Sequence, residues 1–287
     1  MTQPVLRVAA VQAESVAGDV EANAAAAARW TSAAADQGAR LVVFPELFLC
    51  GYSPRTLADR PGDCDVTPAD ARLSVLADVA HARQVVVLVG ASVRVNGASR
   101  TLSLLAFTAA GEVTVAYDKQ HLSGVEQSLF TPGTHGASLL VDRWPVGLGI
   151  CYDGCFPEHA RAASDDGALA YACPSAYVVG SEHRRDLYYA ARALDNGIYV
   201  VFADLVGHCG DLEFGGGTAV YDPQGRVVAR VDAGAGLAVA DLDRSLVDEA
   251  RRINPFAADR PRALGGRTLV HGSGLQATPA TARADRS

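Results

Sequence analysis

Val146-Gly147-Leu148-Gly149-Ile150-Cys151-Tyr152-Asp153-Gly154 runs from an apolar, glycine-bearing strand straight into a turn that begins at a thiol. A helical stretch follows near Glu158 to Ser164, then an apolar strand at Leu169 to Ala172. Strand, turn, helix and strand in that order belong to an α/β fold whose sheets are covered by helices. The pattern extends in both directions. Downstream, Arg184 to Asn196 reads as a helix and Ile198 to Ala203 as a strand. Ala219 to Asp222, Arg226 to Val231 and Leu237 to Asp241 form a β series, and Asp243 caps a helix reaching about Arg252. Upstream, Val5 to Ala13 is a buried strand, and Asp19 caps an alanine-rich helix that ends near Gly38. Leu41 to Phe44 is a strand stopped by Pro45, and Thr67-Pro68 opens a helix to about Arg83. Strands are expected at Val85 to Gly90, Thr101 to Thr108 and Val113 to Asp118. No linker divides residues 1–255, which read as one domain. Residues 256–287, rich in Pro, Gly, Thr and Arg, read as a C-terminal arm or partly disordered tail.

Composition narrows the class of function. The chain has 287 residues, is 49% hydrophobic and carries a net charge of −7. The tail holds five Arg against two Asp, so the acidity belongs to the body. An acidic body argues against nucleic acid or an anionic membrane as partner. The N-terminal apolar run is too short and interrupted for a secretory segment, and no run approaches the ~20 residues that span a bilayer. The expectation is a soluble cytoplasmic protein. Its six cysteines are expected to be reduced, and without paired Cys-x-x-Cys spacing they suggest no structural zinc site. One oddity is sharper. Of 25 basic residues, 24 are Arg, and the single lysine is Lys119. A lone lysine in that background marks a position where a compact ammonium is needed and a planar guanidinium will not serve.

Three segments put reactive groups where a strand runs out. In Val42-Val43-Phe44-Pro45-Glu46-Leu47-Phe48 a carboxylate follows an apolar strand, where burial raises its pKa as a general base near neutral pH requires. Ala116-Tyr117-Asp118-Lys119-Gln120-His121-Leu122 holds the lysine. In the third, Cys151 sits like the nucleophile of a strand-to-helix elbow, with turn N–H groups available to an oxyanion.

Together these segments resemble the nitrilase superfamily of carbon–nitrogen hydrolases. The matching stretches are Phe44-Pro45-Glu46, Tyr117 to Leu122, Gly149 to Asp153 and Phe156-Pro157-Glu158. Further matches are Glu126, Phe130-Thr131-Pro132-Gly133 and Ala191 to Asn196. The resemblance covers roughly residues 5 to 255. It implies a four-layer αββα sandwich, usually dimerised, so a homodimer or higher homo-oligomer is expected. It also implies a cysteine-dependent amidase that uses no metal or organic cofactor. Glu46 would take the thiol proton, Cys151 would attack the amide carbon, and Lys119 with the Tyr152 N–H would meet the oxyanion. Glu126 would hold the lysine and help to orient substrate.

The pair Tyr152-Asp153 after the nucleophile resembles the amide-hydrolysing branches. The region Gly207 to Gly216 resembles a loop of amidases acting on ω-amino amides such as 5-aminopentanamide. Leu242-Asp243-Arg244 and Ala250 to Pro255 match that group too. Ser53-Pro54 and Cys155 depart from it near the expected pocket. Candidate substrate-binding residues are Tyr52, Tyr177, Glu182 and Glu213, with Asp211 a further acid for a cationic ω-amino or guanidino tail. His183-Arg184-Arg185 could equally bind a carboxylate, such as that of an N-carbamoyl amino acid. The alternatives are a nitrilase or N-carbamoyl hydrolase with the same triad, and an interaction module that has lost turnover.

Overall fold

Two mixed β-sheets pack face to face, each carrying helices on its outer side, in a computed structural model that describes residues 5–97, 99–261, 265–266, 268–270 and 277–279. The first sheet is ordered Gly236–Leu242, Leu6–Gln12, Leu41–Val43, Val86–Asn96, Ser99–Phe107, Val113–Asp118. The two-residue strand Asp65–Val66 pairs with the far end of Val86–Asn96. The second is ordered Val227–Arg230, Ala219–Tyr221, Tyr199–Phe202, Ala170–Ala172, Trp144–Leu148, Ala137–Val141. Helices Val20–Asp36 and Ser74–Arg83 pack together on the first sheet, and Pro157–Asp165 and Glu182–Asn196 cover the second. This is the α/β arrangement with layered sheets that the sequence implied.

Each sheet has a parallel centre. Leu6–Gln12, Leu41–Val43 and Val86–Asn96 run together in one, and Trp144–Leu148, Ala170–Ala172 and Tyr199–Phe202 in the other. Leu41, Val42 and Val43, like Ala170, Tyr171 and Ala172, are fully buried, as expected of strands covered on both faces. The chain leaves the carboxyl ends of these strands at Glu46, Cys151, Ser175 and Asp204. Open α/β sheets bind ligands at that end.

Local signals account for the element ends. The Asp19 carboxylate accepts from Ala22 N at 2.9 Å, and Gly197 closes Glu182–Asn196 at φ 57°. Two sequence expectations need correction, and one strand was not expected. The helix expected from Thr67-Pro68 begins at Ser74, because Asp70 accepts from Arg72 N and turns Ala71–Leu73 into a 3-10 segment. Gly207 to Gly216 is a hairpin, Val206–Cys209 against Leu212–Gly215. The strand Ala137–Val141 pairs with Trp144–Leu148 through a turn at Asp142 and Arg143, both at positive φ. Such a turn usually carries Asn or Gly, so this one gave no sequence signal. In the tail, Thr268–Val270 pairs with Ala277–Pro279; the expected arm otherwise falls largely outside the described residues.

Candidate active site

Glu46 is fully buried just past the strand Leu41–Val43. The turn that carries it lies against Gly90, whose N–H donates to Pro45 O at 3.2 Å. A side chain at Gly90 would come within 2.3 Å of Leu47 N, so only glycine allows this approach. Lys119 is also fully buried and spends its ammonium on two carboxylates. It donates to Glu46 Oε1 at 2.6 Å and to both oxygens of Glu126 at 2.8 Å. Glu126 is further held by the Tyr52 hydroxyl at 2.6 Å and by Ser123 N at 2.8 Å. The second Glu46 oxygen, Oε2, is buried without a hydrogen-bond partner.

Cys151 opens a 3-10 turn, Cys151–Cys155, at φ 46°. A non-glycine residue held there stores backbone strain of order 1–3 kcal/mol, as at other nucleophile turns. Its own N–H donates to Pro174 O at 2.9 Å and its carbonyl accepts from the Tyr189 hydroxyl at 3.3 Å. The Tyr152 N–H lies in the first turn of a helical segment, where N–H groups have no intrahelical partner.

Charge and burial set the protonation states. Burial pushes the Glu46 carboxyl up to about 7; Lys119 opposes this and Glu126 adds to it. Burial, reinforced by the charge of Glu46, lifts the Cys151 thiol well above its ordinary value, with Lys119 pulling the other way. Burial alone would lower the Lys119 pKa, but Glu46, Cys151 and Glu126 together raise it, so the ammonium stays charged. The resting site is therefore a neutral thiol beside a buried carboxyl and a fixed cation.

Of the expected site residues, the structure brings Glu46, Lys119, Glu126, Tyr52 and Cys151 together. Tyr177 is near them, its hydroxyl 3.7 Å from Cys155 Sγ and 3.4 Å from the Tyr189 hydroxyl. Glu182 and Glu213 stand apart. Glu213 is exposed and faces His208 across the hairpin at 3.9 Å, while Phe214, on the opposite face, packs edge-on to Tyr52. Glu182 is half-buried and accepts from Gly180 N at 3.0 Å. Of the basic run, Arg185 is buried and bonded to Gly216 O and Asp186, whereas the charge of Arg184 reaches Cys155.

Sequence reasoning gave no role to Asp153, Tyr189, Ser175 or Asp204. Asp204 is fully buried, holds Tyr177 N at 2.9 Å, and its carboxyl is raised by burial. One partner set had a sequence signal: Tyr117 and His121, which hold Asp153, flank the lone lysine by two residues on either side. Among the described residues, His121, Asp153 and His159 place three metal-capable atoms within 4.8 Å of one another. Each of those atoms is already engaged in hydrogen bonding, to one another or to Tyr117.

A family model described as carbon-nitrogen hydrolase matches residues 7–252. The chain belongs to the carbon–nitrogen hydrolase family. It is 32% identical to an (R)-stereoselective amidase of a Pseudomonas species, over 82% of this chain and 84% of that one. It is also 31% identical to a nitrilase of Pyrococcus abyssi, over 87% and 94%. An amidase of Nesterenkonia sp. AN1, solved with acrylamide added to its active-site cysteine, superposes with a TM-score of 0.76 at 28% identity, covering 86% and 97% of the two chains. Membership makes this chain a carbon–nitrogen hydrolase with amidase relatives and the fold of nitrilase-superfamily amidases. No helix among the described residues is long and apolar enough to cross a membrane.

Proposed function

We propose that this hydrolase converts a small linear carboxamide to carboxylate and ammonia through a thioester on Cys151. The observation that carries the reading is the buried set Glu46–Lys119–Glu126, with one Glu46 oxygen unpartnered in the same site as the thiol. Glu46 takes the Sγ proton as sulfur attacks the carbonyl carbon. The oxyanion is met by the Tyr152 N–H and by Lys119, which exchanges one of its two bonds to Glu126 for it. Glu126 can release that bond because Tyr52 and Ser123 N still hold one oxygen each. Glu46 returns the proton to the departing nitrogen, ammonia leaves, and Glu46 then activates the water that opens the thioester. The scheme calls on no cofactor. We infer that the protein acts in the cytoplasm as a homodimer, which light scattering at micromolar concentration tests.

The carboxamide reading is tested with amide, nitrile and N-carbamoyl versions of one scaffold. Ammonia should be released fastest from the amide, with an acyl adduct on Cys151 seen by mass spectrometry. Faster release from the nitrile or carbamoyl compound would replace the amide reading. The substrate tail turns on charge. An ω-amino tail needs an acid facing the pocket, yet Glu213 looks to solvent, and the basic Arg184 is exposed as well. ω-Carboxylate and ω-amino amides of equal length test which tail the pocket takes.

A further inference from the structure

Asp153 is fully buried two residues after Cys151, and its carboxylate bonds to both reactive segments. Oδ2 accepts from Ile150 N at 3.0 Å and from the Tyr117 hydroxyl at 2.8 Å. Oδ1 accepts from His121 N at 2.9 Å and faces His121 Nδ1 at 2.8 Å. Tyr117 and His121 flank Lys119 by two residues on either side, and Ile150 and Asp153 flank Cys151. We propose that Asp153 is a positioning residue for the hydrolysis, a clamp that fixes the lysine segment against the nucleophile turn. The inference rests on the catalytic roles proposed above for Lys119 and Cys151.

A relay of neutral groups backs the clamp. The single Tyr117 proton goes to Asp153, so the 2.8 Å contact between Tyr117 and His159 Nε2 requires that nitrogen to donate. His159 Nδ1 is then the acceptor of the Tyr171 hydroxyl at 2.8 Å. That assignment makes His159 neutral, and burial does lower its pKa. Tyr171 reaches this position only because residue 149 is glycine, where a Cβ would lie 1.9 Å from its hydroxyl. On the far side His121 and His159 line a cavity of about 570 Å³. The rings have room to shift there, although His121 also stacks on Phe156 at 4.1 Å. Lys119 itself is fixed to its own sheet by backbone bonds to Leu102 O and from Gly133 N, each at 2.8 Å, and the Asp153 bonds add a direct tie from the flanking Tyr117 and His121 to the nucleophile turn.

The clamp has a signature that simple loss of folding lacks. Glu46 is faced by Lys119, Glu126 and Cys151, and lies within the electrostatic reach of Tyr52 and Asp204. Among these Lys119 is the cation that holds the Glu46 pKa down. If the lysine segment loosens, that pull weakens, and the acid limb of kcat/KM moves to higher pH.

The test compares Asp153→Asn, Tyr117→Phe and Cys151→Ala as full-length proteins. Asp153→Asn should lower kcat by about a hundredfold with KM changed less than about threefold, because misplacement by an ångström costs that much in turnover. Tyr117→Phe removes one of the bonds to the carboxylate, together with the Tyr117 contacts to His159 Nε2 and Gln120 N, and leaves the carboxylate in place, so it should lower kcat about tenfold. In both, the acid limb should move up and alkylation of Cys151 by iodoacetamide should slow. A well-folded Tyr117→Phe with unchanged kcat, limb and alkylation rate would overturn the clamp. So would activity lost only in proportion to the unfolded fraction. Turnover retained by Cys151→Ala would instead remove the nucleophile assignment, a failure distinct from that of the clamp.

Discussion

Glu46 and Lys119 make each other usable, and the pH dependence follows from the pair. A carboxyl must be ionised to accept the thiol proton, and burial has moved Glu46 up to about 7. We expect kcat/KM to rise with pH through about 7, read from a pH–rate profile, and Glu46→Gln to abolish turnover. Stability runs the opposite way. Between 4.5 and about 7 the unfolded chain has released this proton while the folded one keeps it, so this contribution to stability falls as pH rises through that window. Lys119→Arg tests the cation. Three donors of one nitrogen meet three oxygens in a sealed site, and a flat guanidinium cannot copy that geometry. Losing an oxyanion donor costs about a hundred- to a thousand-fold in kcat, with KM changing less because the oxyanion exists only after attack. A folded Lys119→Arg with near-normal kcat would take lysine out of the mechanism. That Glu46, Lys119 and Cys151 come together could be read from the sequence because each directly follows an apolar strand. Asp153 was read only as a marker of the amide-hydrolysing branches, since its partners lie 32 and 36 positions away.

Strands and helices explain why those side chains meet. Glu46 and Cys151 come from equivalent places, the carboxyl ends of parallel strands in two different sheets, and each turn is seated by a glycine contact. Gly90 lies in Val86–Asn96, two residues beyond its pairing with Leu41–Val43, and accepts the Glu46 turn from below. In Gly90→Ala the new methyl would meet Leu47 N, Pro45 O and Glu46 C, all backbone atoms that cannot rotate aside. The turn must therefore shift. We expect a stability loss of about 1–3 kcal/mol by chemical denaturation, the usual cost of overpacking. We also expect kcat to fall by more than that loss accounts for, because Glu46 rides on the turn. Most of these elements were evident from periodicity and caps. The exceptions have local causes: Asp142-Arg143 makes a left-handed turn from unusual residues, and Asp70 caps a 3-10 segment that delays the helix expected from Pro68 until Ser74.

That the two sheets stack was implied by the family resemblance alone; periodicity could not show it, because it depends on contacts across two hundred positions. One side chain shows what such a contact does. Gln12 ends the strand Leu6–Gln12 of the first sheet and is fully buried. Its Oε1 accepts from Gly217 N at 2.6 Å and Thr218 N at 2.8 Å, just before the strand Ala219–Tyr221 of the second sheet. Its Nε2 donates to Gly234 O at 2.7 Å, just before Gly236–Leu242. The amide therefore satisfies three backbone groups where the layers join, at the carboxyl end of its own strand. Thr218 continues the link, since its hydroxyl accepts from Asp204 N at 2.9 Å. Gln12→Leu keeps the bulk and removes every one of these bonds. Each buried backbone group left unpaired costs about 1–3 kcal/mol, so the loss should be about 3 kcal/mol or more. In a domain of this size that lowers the melting midpoint by roughly 6–12 °C. Gln12→Glu separates packing from hydrogen bonding. Protonated, it keeps the acceptor oxygen and an O–H that can donate to Gly234 O, so it should cost less than Gln12→Leu at low pH and more once the carboxyl ionises and loses that donor. Equal midpoints for wild type and Gln12→Leu by calorimetry would show that the sheets are held together without this link.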